Sequence, residues 1–200
     1  MKPAGTGTGK TTLLSSLLSL ADPGERLLLV EDSAELRPTH PHVVRLEARP
    51  PNVEGAGGVT LNDLVRQALR LRPDRLVVGE VRGAEVADLL QALNTGHEGG
   101  CGTLHANTAA DVPARLEALA CAAGLSREAV HSQLAAALDI VVHLVREPGG
   151  GRRRVAEVCL LRRAADGLVG VLPAVTFTAA GQTIAAAGAD ALAARLGWTP

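Results

Sequence analysis

Short apolar runs and amphipathic helical stretches alternate along the first three quarters of this chain, and that alternation admits few folds. Arg26–Val30 and Leu76–Gly79 are continuous apolar runs of strand length, bounded by turn residues and acids. Such runs suit strands buried on both faces. Val43–Leu46 is a weaker strand, and Gly102–His105 a short fourth. Between them, Leu13, Leu14, Leu17 and Leu18 make one apolar stripe on a helix over Lys10–Leu20. Thr60 with Asp63 reads as a capping box opening a helix through Leu61, Leu64, Val65, Ala68 and Leu69, which stops before Pro73. Val86, Leu89, Leu90 and Leu93 face inward on a helix over Ala84–Thr95, with Gly96 as its stop signal. Strands separated by such helices pair in parallel, are covered on both faces, and bind ligands at their carboxyl ends. The expected class is α/β, a mostly parallel sheet with helices on both faces.

The later part changes character. Helices are expected from about Ala110 to Ala122 and after a Ser126 cap. Ile140–Val145 and Arg154–Leu161, joined through Gly149-Gly150-Gly151, read as a C-terminal β-hairpin. Gly167–Leu172 adds a strand and Ala189–Leu196 a short helix. The run Arg152-Arg153-Arg154 at the hairpin turn is expected as a solvated tip.

Composition removes several classes of function. Lys plus Arg number 20 against 21 Asp plus Glu, which leaves no strong positive field for nucleic acid. Phe177 and Trp198 are the only aromatics, too few to stack bases. No sequence-specific nucleic-acid partner is expected. No apolar run reaches transmembrane length, no secretory signal is visible, and Cys101, Cys121 and Cys159 lie far apart as in a reducing compartment.

The chemistry concentrates in Gly5-Thr6-Gly7-Thr8-Gly9-Lys10-Thr11-Thr12, which opens directly into the first helix. Glycines let successive backbone N–H groups face one concavity, and the helix N-terminus adds its partial positive charge. This is the layout of a nucleotide phosphate loop, with Lys10 on the β- and γ-phosphates and the Thr11 hydroxyl on Mg²⁺. Ala4 replaces the first glycine of the strict spacing, and only Met1-Lys2-Pro3 precede the loop. The buried strand that usually feeds such a loop is therefore expected to be missing.

Polar residues fall where the sheet geometry wants them. Glu31 and Asp32 follow Val30, Glu80 follows Val78-Gly79, and His105 ends the Gly102 strand. Glu80 stands where a nucleotide hydrolase needs the carboxylate that polarises the attacking water. Glu31 and Asp32 suit water or Mg²⁺ orientation, with Glu35 one helical turn beyond; a turn role for Asp32-Ser33 is the alternative. His97 and His105 match no zinc spacing and suit a polar sensor donating to the γ-phosphate or to Glu80.

These residues resemble a known family. The loop Gly5–Thr12, Val30–Glu35, Leu69–Arg75, Val78–Gly83 and Asn94–Asn107 occur in the order seen in type II/type IV secretion-system ATPases, most like the Tad-pilus and conjugal-transfer branch. The resemblance covers roughly Gly5 to Leu161. It implies a RecA-like P-loop NTPase core over residues 1–163, lacking its first strand and the family's N-terminal domain, with 164–200 an unassigned extension. It implies ATP and Mg²⁺ as cofactors, hydrolysis supported by Glu80, Glu31 and His105, and Arg82 and His97 as sensor or subunit-interface residues. It further implies a hexameric ring of identical subunits, docked on inner-membrane platform proteins at the cytoplasmic face of the membrane, driving secretion, pilus assembly or conjugal transfer. The alternatives are a truncated non-catalytic nucleotide-binding or interaction protein and, from length alone, a small-molecule kinase.

Overall fold

The computed structural model describes residues 7–96, 99–147, 149 and 151–198. They fall into two compact units, one of Lys10–His105 with Leu119–Leu125, the other of the residues up to Gly9, Ala106–Ala118 and Ser126 onward.

The first unit carries α1 (Lys10–Leu18), β1 (Leu27–Glu31), β2 (Val43–Glu47), α2 (Leu61–Arg70), β3 (Arg75–Val81), α3 (Glu85–Leu93) and β4 (Cys101–Leu104). Its strands form one parallel sheet in the order β2-β1-β3-β4. Every residue of β1 is buried, the apolar run Leu27–Val30 as two-sided cover requires and Glu31 at its end as a buried carboxylate. Alternation sends Leu27 and Leu29 to one face, where they meet Leu14 and Leu18 of α1, Leu36 and Val77. Leu28 and Val30 take the opposite face, and α2 and α3 pack together over the sheet there. Each such fully buried side chain contributes ~1.5–3 kcal/mol of transfer free energy.

The register fixes where the polar residues land. Leu27 to Val30 of β1 pair with Arg75 to Val78 of β3, whereas the β3–β4 pairing slips between Val78 and Val81. Glu80, expected just past its strand, lies inside β3 in that irregular stretch. Glu31 is likewise the last residue of β1, and His105 follows β4. Glu35 lies in an irregular stretch between β1 and β2, not on the helical turn expected for it.

The N-terminus of α2 forms as the sequence signals. Thr60 Oγ1 accepts the Asp63 N–H at 3.2 Å, and the Asp63 carboxylate accepts the Thr60 N–H at 3.0 Å. Hydrogen bonds from the Thr60 hydroxyl and N–H hold the Asp63 carboxyl below the usual carboxylate range. A depressed carboxyl stabilises the fold above its ordinary pKa and ceases to as pH falls through the folded value. Thr60→Ala is expected to cost ~1 kcal/mol at neutral pH, read as a lowered melting temperature, with a smaller loss in acid. An equal loss at both pH values would show that the cap does not depend on the Asp63 charge.

The second unit holds an antiparallel sheet in the order β5 (Ile140–Arg146), β6 (Arg153–Arg163), β7 (Val169–Phe177) and β8 (Thr183–Ala185). A 3₁₀ turn, Ala109–Asp111, leads into α4 (Val112–Ala122), and α5 (Arg127–Ala137) starts at the Ser126 cap, whose side chain accepts the Ala129 N–H. β7 runs further than its apolar core suggests because it pairs with β6 from Arg163↔Val169 to Glu157↔Thr176. Helix α6 (Ala189–Arg195) packs Leu192 against Leu160 and Ala174. Buried His131 places Nε2 2.8 Å from the Glu117 carboxylate, while its Nδ1 accepts the Val169 N–H at 2.9 Å. The ring hydrogen therefore sits on Nε2, and both ring nitrogens are satisfied in the interior.

Candidate active site

Three chemically active side chains from separate elements of the first unit converge. Lys10 opens α1, Glu80 stands in the irregular stretch of β3, and His105 follows β4. His105 Nε2 lies 2.8 Å from Glu80 Oε1. The Lys10 ammonium lies 3.4 Å from both ring nitrogens of His105. The two nitrogen lone pairs diverge within the ring plane, so an ammonium equidistant from both sits over the ring face. A hydrogen on Nε2 then serves Glu80, and the imidazole face serves Lys10. Desolvation holds the Lys10 ammonium below its ordinary pKa, and the neighbouring Glu80 carboxylate opposes that shift.

A second set of carboxylates flanks this cluster. The Thr11 hydroxyl donates to Glu35 at 3.3 Å. Glu35 is held in turn by Glu31, whose buried Oε1 accepts the backbone N–H groups of Glu35 and Leu36 at 3.0 and 2.9 Å. Glu31 thus folds the stretch that carries Glu35. Asp32 makes an ion pair with Arg82. Among the described residues no group of three or more His, Cys, Asp and Glu could cage a metal. The oxygen pair of Thr11 and Glu35 suits Mg²⁺, which keeps waters and phosphate oxygens as its remaining ligands.

Sequence reading missed three supports of this site. A Cβ on Gly79 would stand 2.8 Å from Glu31 Cγ, so the Gly before Glu80 is what lets Glu31 fit beside β3. The Thr103 hydroxyl donates to the Gly79 carbonyl at 2.6 Å and fixes the irregular stretch from β4. Glu85 is buried and accepts the N–H groups of Arg82 and Gly83 at 2.7 and 2.8 Å, shaping the turn after β3. The sequence signal for Glu85 is its position in the first turn of α3, next to unpaired N–H groups.

In the phosphate loop, Gly7 and Gly9 have φ of +80° and +96°, a left-handed backbone that only glycine adopts without strain. Thr8 between them is buried, and Thr12 is exposed on the first turn of α1. Gly5, Thr6 and His97, together with Met1-Lys2-Pro3, lie outside the described residues.

The family model for Type II/IV secretion system protein matches residues 3–172. A Mycobacterium tuberculosis protein named as a conjugal transfer protein is 63% identical over 160 residues, covering 80% of this chain and 45% of that protein. The VirB11 ATPase of the Brucella suis type IV secretion system, solved with sulphate, has a TM-score of 0.66 at 31% identity, over 76% of this chain and 45% of that one. The pilus retraction motor PilT, solved with ADP, has a TM-score of 0.61 at 30% identity, over 82% of this chain and 47% of that one. The chain spans about half the length of the curated relatives it matches. No helix among the described residues is long and apolar enough to cross a membrane. With its glycine loop, its Glu80–His105 pair and a match over most of its length, the chain belongs to the type II/IV secretion system protein family.

Proposed function

We propose that this chain is the ATP-binding and hydrolysing core of a motor subunit for secretion, pilus assembly or conjugal transfer. The observation that carries the reading is the contact of Glu80, His105 and Lys10 beside the carboxyl ends of two parallel strands. The loop N–H groups and Lys10 bind the phosphates, and the hydroxyl of Thr11 with Glu35 holds Mg²⁺. When bound, the metal offsets charge on the phosphate oxygens. Glu80 orients the water and takes its proton as the water oxygen bonds to the terminal phosphorus and the bridging bond to ADP breaks. His105 fixes the Glu80 carboxylate, and Glu31 acts as a positioning residue through Glu35. Arg82 and His97 serve as sensor or subunit-interface residues. Sulphate on VirB11 and ADP on PilT support an oxyanion and nucleotide ligand here. The working assembly in this reading is a ring of copies on inner-membrane platform proteins at the cytoplasmic face.

A thermal melt with and without Mg-ATP tests the binding half. At a hundredfold excess over Kd, a ligand that binds only the folded chain adds ~2.7 kcal/mol, and the transition should move up accordingly. A cooperative transition that stays in place at saturating Mg-ATP would sink the reading.

A further inference from the structure

Glu80 meets His105 only because β3 carries one residue more than its partner strand. Within the first unit, Val77 packs on the α1 side of the sheet with Leu14 and Leu18, and Cys101 of β4 packs against the same cluster. Strand alternation then sends Gly79, Thr103 and His105 to that side. It would send Glu80 to the opposite side with Leu76 and Val78, under α2 and α3. The pairing does not run evenly, however: Val78 stands opposite Gly102, and Val81 opposite Leu104. Gly79 and Glu80 therefore face Thr103 alone, which is the count of a β-bulge. The phase of the strand turns over at this point. A Cβ on Gly102 would stand 3.7 Å from Val78 Cβ and 3.4 Å from Val81 Cγ2, so residues three apart on β3 share one face. Glu80 is thereby returned to the α1 side, 2.8 Å from His105 Nε2. One side-chain bond ties the bulge to β4: the hydroxyl of buried Thr103 donates to the Gly79 carbonyl at 2.6 Å.

We propose that Thr103 is a positioning residue for hydrolysis, its hydroxyl holding the bulge that turns Glu80 onto His105. The effect on rate rests on the hydrolytic reading above; the effect on Glu80 rests on the strand geometry. Thr103 acts through the Gly79 carbonyl and the direction of the next side chain, not on the nucleotide or the water. Without the donor the pairing evens out, and Glu80 leaves the side of the sheet that Lys10 and His105 share. Lys10 and Thr11 stay in place, so binding persists.

The test pairs nitrogen NMR of the histidine rings with steady-state phosphate release. His105→Ala identifies the ring's signals, and Glu80→Ala gives the signature of that ring without its carboxylate. Thr103→Val, close in shape but lacking the donor, should move the His105 signals from the parent's positions to those of Glu80→Ala. It should also lower kcat by about a hundredfold with KM within about twofold, the effect of a misplaced base and not of lost binding. Thr103→Ser keeps the donor and should recover the parent spectrum and most of the rate. Parent-like ring signals in Thr103→Val, or a kcat within about twofold of a hydrolysing parent, overturn the proposal. So does a Thr103→Ser variant as impaired as Thr103→Val, since the methyl packing would then be the cause. If Thr103→Val fails to melt cooperatively, Thr103→Ala against Thr103→Ser makes the same comparison. A parent chain that releases no phosphate removes the hydrolytic reading, and the ring spectra still decide whether Thr103 aims Glu80.

Discussion

Lys10→Ala is expected to abolish the upward melting shift with Mg-ATP while leaving the ligand-free transition in place or slightly higher. The ammonium is partly desolvated and sits over the face of His105, near the Glu80 carboxylate. Without ligand that placement costs stability, since its charged form is disfavoured relative to the unfolded chain. With ligand, the same ammonium gains phosphate oxygens, and each charge-assisted hydrogen bond is worth ~1.5–3 kcal/mol. Loss of two such bonds lowers affinity by about a hundredfold or more. The sign of the pH effect follows from linkage. A lysine whose folded pKa lies below its unfolded value releases its proton first in the folded state. Stability therefore rises with pH between the folded value and 10.5. Lys10→Ala should lack that alkaline gain. A variant that melts higher by the parent's full increment with Mg-ATP would remove Lys10 from the phosphate site.

The parts of this fold that were legible in the sequence are those set by neighbours along the chain or by burial on both faces. β1 and β3 announce themselves through Leu27–Val30 and Leu76–Val78, stretches that stay apolar because helices cover the strand on each side. The α2 cap is local, four residues from Thr60 to Asp63, and formed as read. The convergence of Lys10 with His105, 95 residues away, followed from the rule that parallel sheets gather ligand groups at strand ends. What stayed hidden depends on register. Glu80 lies within β3 because the pairing with β4 slips, which no property of residues 75–81 alone reveals. Gly79 is required by Glu31 on the adjacent strand, and Glu35 is pulled out of a helical turn by the same carboxylate. β8 is three exposed residues whose only reason to be a strand is β7 beside it. Arg152 and Arg154, expected at a solvated tip, donate instead to the Ala179 and Phe177 carbonyls, which the β6–β7 pairing brings within reach.

Glu80→Gln should separate binding from turnover. The replacement keeps size and an amide oxygen that still accepts the His105 Nε2–H at the position now 2.8 Å away. Lys10 and the loop glycines are untouched, so Mg-ATP should raise the melting temperature nearly as it does in the parent. What is lost is a carboxylate able to take a proton from water, and removing a general base lowers rates by ~10²–10⁴-fold. A phosphate-release assay run beside the melt reads both quantities on one sample. Hydrolysis by Glu80→Gln at the parent rate would move the base elsewhere, with Glu35 the next carboxylate along the site. His105→Ala makes a graded comparison. It removes the group that orients Glu80 without removing the base, so its rate should fall between those of the parent and Glu80→Gln. If the parent itself binds Mg-ATP and releases no phosphate, the Glu80–His105 pair is a preserved geometry without turnover, and the chain is a nucleotide-binding protein of its family.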